Sequence, residues 1–199
     1  MRKILSLIIV LLIISVLLSA CSTSNESKTY DSFSLSQELP VYASEAKYMV
    51  DIHKPEAIVG WGDYVFVAKI EKELRTEYKA SAGLPRTYYS ITVIENLKGK
   101  LQTDQPIEFF KHGGVNREGK SISLLEGDSL LEPGKYYLLV AASETDGSLG
   151  QGLPNASILL DIDNTDQLSS SPIIEEYEKY IENETKCDRE RYKSIYEAE

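Results

Sequence analysis

The sequence predicts a mainly β protein: a small antiparallel barrel or sandwich of five to six strands, preceded by a short helix and followed by an amphipathic helix. Short runs of β-branched and aromatic residues follow one another, separated by turns that contain Gly and Pro, with no helical periodicity between them. The apolar residues change to a helical spacing near the end of the chain. The predicted segments are a signal peptide (1–20), a tether (21–39), a β domain (40–168) and a helical segment (169–199).

The first segment is an export signal. Arg2 and Lys3 begin it, and residues 4–18 form an apolar run too short for a membrane span, which needs about 20 residues. The run ends in Leu-Ser-Ala-Cys21, which resembles the lipobox of bacterial lipoproteins. That resemblance implies cleavage before Cys21, acylation of its sulfur with chains such as palmitate, and a lipid anchor on the extracytoplasmic face of the cell membrane. An uncleaved N-terminal anchor is the alternative.

Residues 22–36 are predicted to form a tether that holds the folded domain away from the bilayer. They include six Ser among fifteen residues and have no apolar periodicity. Such a segment buries too little surface to order itself.

Cysteine content agrees with a lipid anchor. Cys187 is the only other cysteine in the chain. Because an acylated Cys21 cannot pair, we expect no intramolecular disulfide in the mature chain. Cys187 is interpreted as a surface or half-buried structural residue.

A short helix and six strands are predicted in the β domain. Pro55 favours a helix start at the first helical position, and Gly60 and Gly62 end this helix. Strands are expected wherever β-branched and aromatic residues are bounded by turn residues. The six strands cover residues 63–74, 86–97, 106–110, 121–125, 135–142 and 156–162.

The C-terminal segment has the pattern of an amphipathic helix. Ser171 and Pro172 favour a helix start, as N-cap and first helical residue. Its apolar residues share one face, with a bend expected near Asn183. They are Ile174, Tyr177, Ile181, Tyr192 and Ile195. We expect this face to pack on the β domain; a free helix that binds a partner is the alternative.

Three stretches of the β domain carry a family resemblance. They are Asp63-Tyr-Val-Phe-Val-Ala-Lys-Ile, the strand that ends in Asn-Leu-Lys-Gly99, and Leu131-Glu-Pro-Gly-Lys-Tyr-Tyr-Leu-Leu-Val. Residues 55–162 thereby resemble the OB-fold domains of the netrin-like, TIMP-like type. The resemblance implies an OB-like barrel and assigns no catalytic residue. A protease inhibitor, suggested by the fold likeness alone, is a third option; animal relatives can chelate a protease's zinc through a free N-terminal cysteine, whereas Cys21 is predicted to be acylated.

Composition restricts the function. The chain has 21 Lys and Arg against 31 Asp and Glu, a net charge of −10. Removing residues 1–20, with two cations and no acid, leaves 19 − 31 = −12. Such acidity argues against nucleic-acid binding, which depends on clustered Lys and Arg. A hydrophobic fraction of 42% with 13 Tyr is enough for a core.

One segment matches the nucleotide-binding P-loop pattern. Gly114-Val-Asn-Arg-Glu-Gly-Lys-Ser121 satisfies G-x-x-x-x-G-K-S, and Ile158-Leu-Leu-Asp161 resembles a Walker B strand. A P-loop requires a helix after its second glycine, and Gly127 and Pro133 leave no room for one. We interpret the segment as a polar hairpin loop and expect no nucleotide.

Neither metal ligands nor a hydrolase motif stand out. Residues 161–166 concentrate carboxylates, but the sixth and twelfth positions of an EF-hand loop would be Asp166 and Pro172 instead of Gly and Glu. His53 and His112 have no partner at metal-ligand spacing and are expected on turns. The sequence therefore predicts no metal and no cofactor.

Tyr pairs provide a candidate ligand face. Neighbouring strand residues point to opposite faces, so one ring of each Tyr-Tyr pair should point outward. The candidate residues are Tyr88, Tyr89, Tyr136 and Tyr137. Outward Tyr is also ordinary sheet surface.

Together these observations predict a membrane-anchored lipoprotein whose barrel is a non-catalytic binding or scaffolding module for an unidentified envelope protein or ligand. An envelope hydrolase with a carboxylate or metal site that the sequence does not reveal is the alternative.

Overall fold

The computed structural model describes residues 39–78, 83–162 and 164–198. The predicted fold class is confirmed: the protein is mainly β, with a closed five-stranded OB-like barrel and two helices. The predicted signal peptide, Cys21 and residues 22–38 of the predicted tether lie outside the described residues. The strands are β1 (Val41–Ser44), β2 (Tyr64–Glu77), β3 (Arg86–Lys98), β4 (Ile107–His112), β5 (Gly114–Val115), β6 (Ile122–Leu125), β7 (Tyr136–Ser143), β8 (Leu149–Gln151) and β9 (Ser157–Leu160). The helices are α1 (Pro55–Trp61) and α2 (Pro172–Glu182), with a 3-10 helix at Thr165–Ser170.

The barrel runs in the order β2-β3-β4-β8-β7 and closes through pairing of β7 with β2. Every neighbouring pair is antiparallel except β4 and β8, which are parallel. A closed ring of five strands cannot alternate in direction throughout, so one parallel pair is unavoidable. The barrel is therefore mixed, where the sequence predicted antiparallel strands.

Both faces of the barrel wall are buried along β2. Phe66, Ala68 and Ile70 point into the barrel, while Val65 and Val67 point out of it, and all five are fully buried. The inner residues belong to a core of aromatic and aliphatic side chains that fills the barrel. The outer residues belong to a second core, over which both helices pack. The barrel is thus a packed core without a lumen.

The predicted helix starts are correct. Pro55 and Pro172 occupy the first turns of α1 and α2. Helix α1 buries residues 57–60, and α2 buries Ile174 and Tyr177 against the outer core. None of the helices in the described residues is long and apolar enough to cross a membrane.

The segment that matches the P-loop pattern forms a hairpin, as predicted. Strand β5 pairs with β6 in a small sheet of order β1-β6-β5. Between them, the Asn116 side-chain oxygen accepts the backbone N–H of Lys120 at 2.9 Å, and Gly119 takes a φ of 70°. No helix follows Gly119, because Ile122 enters a strand.

The second half of the predicted C-terminal helix is wrong. Helix α2 ends at Glu182, and no helix is formed by residues 184–198, which we call the C-terminal strap. The strap crosses back over the start of the barrel, where Arg191 donates to the Gly60 and Gly62 carbonyls. Tyr192 and Ile195 therefore do not extend the apolar face of α2. The conformation of the strap is therefore determined by its tertiary contacts, and its helical periodicity does not produce a helix.

Candidate binding site at the barrel mouth

Two clefts open at the end of the barrel where β4 and β8 finish. Residues 45–48 cross this end and lie between the clefts, so Glu45, Ala46 and Tyr48 line both. The first cleft, about 540 Å³, reaches His112, Leu125 and Gly152. The second, about 710 Å³, is lined by Ile52, His53, Glu126, Gly127 and Asn155. We call the two together the mouth clefts.

His112 lies at the end of β4, not on a turn as predicted, whereas His53 is on a turn. The imidazole of His112 packs edge-on against the Phe110 ring, with centroids 5.8 Å apart. Burial is the main cause that lowers its pKa, and the positive charges of Arg86 and Lys111 lower it further, against Glu144 and Asp128. The imidazole facing the first cleft is therefore neutral at neutral pH.

This lowered pKa predicts a pH dependence of stability. Between the folded pKa of His112 and its ordinary value of 6.5, the unfolded chain binds more protons than the folded one. Stability should therefore rise with pH through that window and fall on acidification. His112→Gln should lose less free energy of unfolding between pH 7.5 and pH 5 than the wild type does, measured by urea denaturation. Parallel curves for the two proteins would contradict the assignment.

A buried ion pair lies beneath the clefts. Lys111 on β4 points into the barrel with its side chain fully buried, and its Nζ lies 2.7 Å from Asp128 Oδ1. Nζ also donates to Ser157 Oγ at 3.0 Å. Asp128 is itself 5% exposed. This ion pair lies at the end of the apolar barrel interior, and it holds the loop after β6 against the barrel.

Arginine and aromatic side chains alternate on the outer surface of β2, β3 and β4. The Arg75 Cζ lies 4.0 Å from the Tyr88 ring centroid, and the Arg86 Cζ lies 4.3 Å from that of Phe110. Tyr88 and Phe110 contact each other with centroids 6.0 Å apart. We call these four residues the Arg–aromatic ladder. Guanidinium groups over aromatic faces are favourable in a desolvated setting.

Carboxylates neutralise both arginines of the ladder. Arg75 makes a bidentate contact with Glu108, at 2.6 and 2.9 Å. Arg86 makes one with Glu144, at 2.8 and 2.5 Å. The exposed surface of the ladder is therefore a set of ion pairs over rings that are at least nine-tenths buried, and the buried Arg86 Nε has no hydrogen-bond partner among the described residues. The ladder adjoins the first cleft through His112, which lines that cleft and contacts Phe110.

The structure divides the four tyrosines of the candidate ligand face between the two sides of the barrel wall. Alternation is as predicted, with Tyr89 and Tyr137 inside the barrel and Tyr88 and Tyr136 outside it. Burial of the hydroxyls raises the pKa of Tyr89 and Tyr137, and each hydroxyl accepts a backbone N–H, from Leu131 and Glu132. The outward rings are covered by Arg75 and by the outer core. The four rings thus form no exposed face.

Alternation along β4 could have found the polar residues that the sequence reasoning missed. Ile107 and Phe109 point inward, so the same parity places Lys111 in the barrel. A lysine at an inward position needs a carboxylate partner, and Asp128 follows soon after. The partners of Arg75 and Arg86 come from distant strands and have no local pattern.

The remaining candidates are the residue types that bind metal ions and the cysteine Cys187. In the described residues, no three His, Cys, Asp or Glu side chains form a group that could hold a metal ion. Cys187 is half-buried in the C-terminal strap, where its thiol is free.

Comparison with known proteins identifies no family for this chain. No protein-family model matches the chain, and no curated protein matches it significantly. The function of the barrel is therefore argued from its own surface.

Proposed function

We propose that this protein is a lipid-anchored binding module on the extracytoplasmic face of the cell membrane. The observation that carries the proposal is the Leu-Ser-Ala-Cys21 motif directly after a charged start and a short apolar run. In this proposal residues 1–20 are removed and the Cys21 sulfur carries the lipid. Two or three acyl chains hold a protein on a bilayer far longer than one does.

The form of the barrel supports binding at its surface. Aromatic and aliphatic side chains fill the interior, so a ligand has room only outside the barrel wall or at its end. The mouth clefts supply that room, with apolar and polar side chains mixed in their lining. Two ion pairs lie close to them, Lys111–Asp128 and Arg86–Glu144. Paired charges favour recognition and rigidity over proton transfer.

The tether sets how far the mouth clefts can stand from the bilayer. Residues 22–38 separate Cys21 from the first described residue, Leu39. Eighteen residue steps span at most about 60 Å when fully extended. Because β1 and residues 45–48 follow Leu39 directly, the tether joins the domain close to the clefts. We infer that the partner is another component of the membrane or its surroundings.

Replacing Cys21 with Ala tests the anchor. The wild-type chain should sediment with membranes and incorporate a labelled palmitate analogue. Cys21→Ala should lose the label and leave the mature, membrane-bound fraction. Cys187→Ala is the matched control, since it removes the other thiol and should keep both properties. Membrane retention of Cys21→Ala without label would favour an uncleaved apolar anchor and overturn lipidation.

A further inference from the structure

Strand β9 has one edge that pairs with no strand of the described residues. It pairs with β7 on one side and ends the strand order of the sheet, so no described strand lies on its other side. The Val140 N–H donates to the Ala156 carbonyl at 2.8 Å. In an antiparallel pair such bonds alternate, so Ile158 and Leu160 also direct their backbone groups to β7. Leu159 then directs its N–H and carbonyl to the open edge.

A groove runs along this edge, between β9 and the start of α2. Its volume is about 560 Å³, and Pro172 and Ile173 form the opposite wall. Ile158, Ile162 and Ile173 are only partly buried against the outer core, and Leu159 is 51% exposed. An open strand edge beside a partly covered apolar core is the form that accepts an added strand.

Charge indicates what the added strand contains. The two charged side chains that line the groove among the described residues are Asp161 and Glu176, and both are exposed. Glu175 adds a third carboxylate in the first turn of α2. The chain after residue 20 is also acidic overall, with 31 acidic residues against 19 basic ones, so its net charge adds to the negative charge of these carboxylates. A cationic segment is attracted there and an acidic one is repelled.

We propose that the β9–α2 groove docks an extended, cationic peptide segment of a partner protein, which adds a strand to β9. Leu159 supplies backbone hydrogen bonds, and apolar side chains at every second position of the peptide enter the groove beside Ile158 and Ile173. Lysine or arginine at the intervening positions faces Asp161 and Glu176. This site is separate from the mouth clefts, and it does not depend on the lipid anchor.

The test is a fluorescence-anisotropy titration of the full chain, purified in detergent micelles. The probe is a labelled Val-Lys-Val-Lys-Val-Lys-Val peptide. Its controls are the same peptide with Glu for Lys and the same peptide with N-methylated backbone amides, which cannot pair with a strand. Saturable binding of the Lys peptide, weakened at least about tenfold in either control, is expected.

Leu159→Pro separates strand addition from simple apolar contact. Proline removes an N–H that β7 does not use, so the fold should persist, while the Kd for the Lys peptide should rise about 3- to 10-fold. Glu176→Lys should weaken binding similarly, with the loss fading at high salt. Met49→Ala is the control for an exposed hydrophobic elsewhere, with Met49 71% exposed. If Leu159→Pro fails to fold, the N-methylated peptide carries the same test.

Three results would overturn the proposal. One is no saturable binding of the Lys peptide at 1 mM. Another is equal binding of the Lys, Glu and N-methylated peptides. The third is a dimer of the chain that Leu159→Pro dissociates, which would make a second copy the occupant of the groove. None of these outcomes bears on Cys21, so failure here leaves the anchor proposal standing.

Discussion

Asp128→Ala is expected to lower the free energy of unfolding by about 3–5 kcal/mol, because it leaves the Lys111 ammonium buried without its counter-charge. The Lys111 side chain is fully buried, and Asp128 is the one carboxylate among the described residues that contacts it, at 2.7 Å. Ser157 remains as a neutral partner at 3.0 Å and offsets only part of the loss. Urea denaturation followed by circular dichroism measures the change.

The pH response identifies Lys111 as the cause. Burial lowers the pKa of Lys111, and Asp128 opposes that change in the wild type. Without Asp128, the folded state disfavours the protonated form of Lys111 more strongly, so the folded-state pKa falls further below the ordinary value of 10.5. Between these two pKa values the unfolded chain binds more protons than the folded chain. The stability of Asp128→Ala relative to wild type should therefore recover as the pH rises from neutral towards 10.5.

Two variants are the controls for this prediction. Glu126→Ala removes an exposed carboxylate from the same loop and should change stability by less than about 0.5 kcal/mol. The double variant Lys111→Met/Asp128→Leu should recover most of the loss, because apolar side chains of similar volume replace a buried pair with little penalty. Equal loss in Asp128→Ala and Glu126→Ala would refute the buried-charge explanation.

Asp63→Ala is expected to release the C-terminal strap and lower the free energy of unfolding by about 2–4 kcal/mol. Asp63 Oδ2 lies 2.7 Å from Arg189 Nη2, with both side chains mostly buried, and Oδ1 lies 2.9 Å from Arg191 Nη1. Oδ2 also accepts the Ser143 N–H at 3.2 Å. We place the value below that of a fully buried pair because Arg191 is 37% exposed.

Limited trypsin digestion detects the release directly. Lys186, Arg189, Arg191 and Lys193 are cleavage sites within the strap, and two of them are held by Asp63. Asp63→Ala should be cut between residues 186 and 193 under conditions that leave the wild type intact. Asp188→Ala, which removes an exposed carboxylate of the same strap, should resist as the wild type does. Equal cleavage of all three proteins would show that Asp63 does not hold the strap.

Local pattern was sufficient to predict the larger elements. Alternation and turn residues gave β2, β3 and β7 within a few residues, and proline at the first helical position located both helices. Short β8 was missed because its pairing with β4 is non-local and its sequence, Leu-Gly-Gln, has no β propensity of its own. The helical periodicity beyond Asn183 led to a wrong prediction, because the contacts of Arg189 and Arg191 with Asp63 hold this segment in a non-helical conformation.

The candidate site was only partly predictable. Strand alternation predicts that Tyr88 points outward. It does not predict that Arg75, on the neighbouring strand, covers the Tyr88 ring. The mouth clefts depend on where residues 45–48 cross the barrel, a position set by the parallel pairing of β1 with β6. Neither the Arg75–Tyr88 contact nor the pairing of β1 with β6 produces a periodic pattern in the sequence.

The sequence by itself determined the β class, the larger strands and the helix starts, because each rests on local steric preference or short spacing. Only the tertiary structure decided which charges are buried, which rings are covered and which strand edge stays open. Those properties depend on residues far apart in the chain, such as Lys111 with Asp128 and Asp63 with Arg189, brought together when five strands close into a barrel.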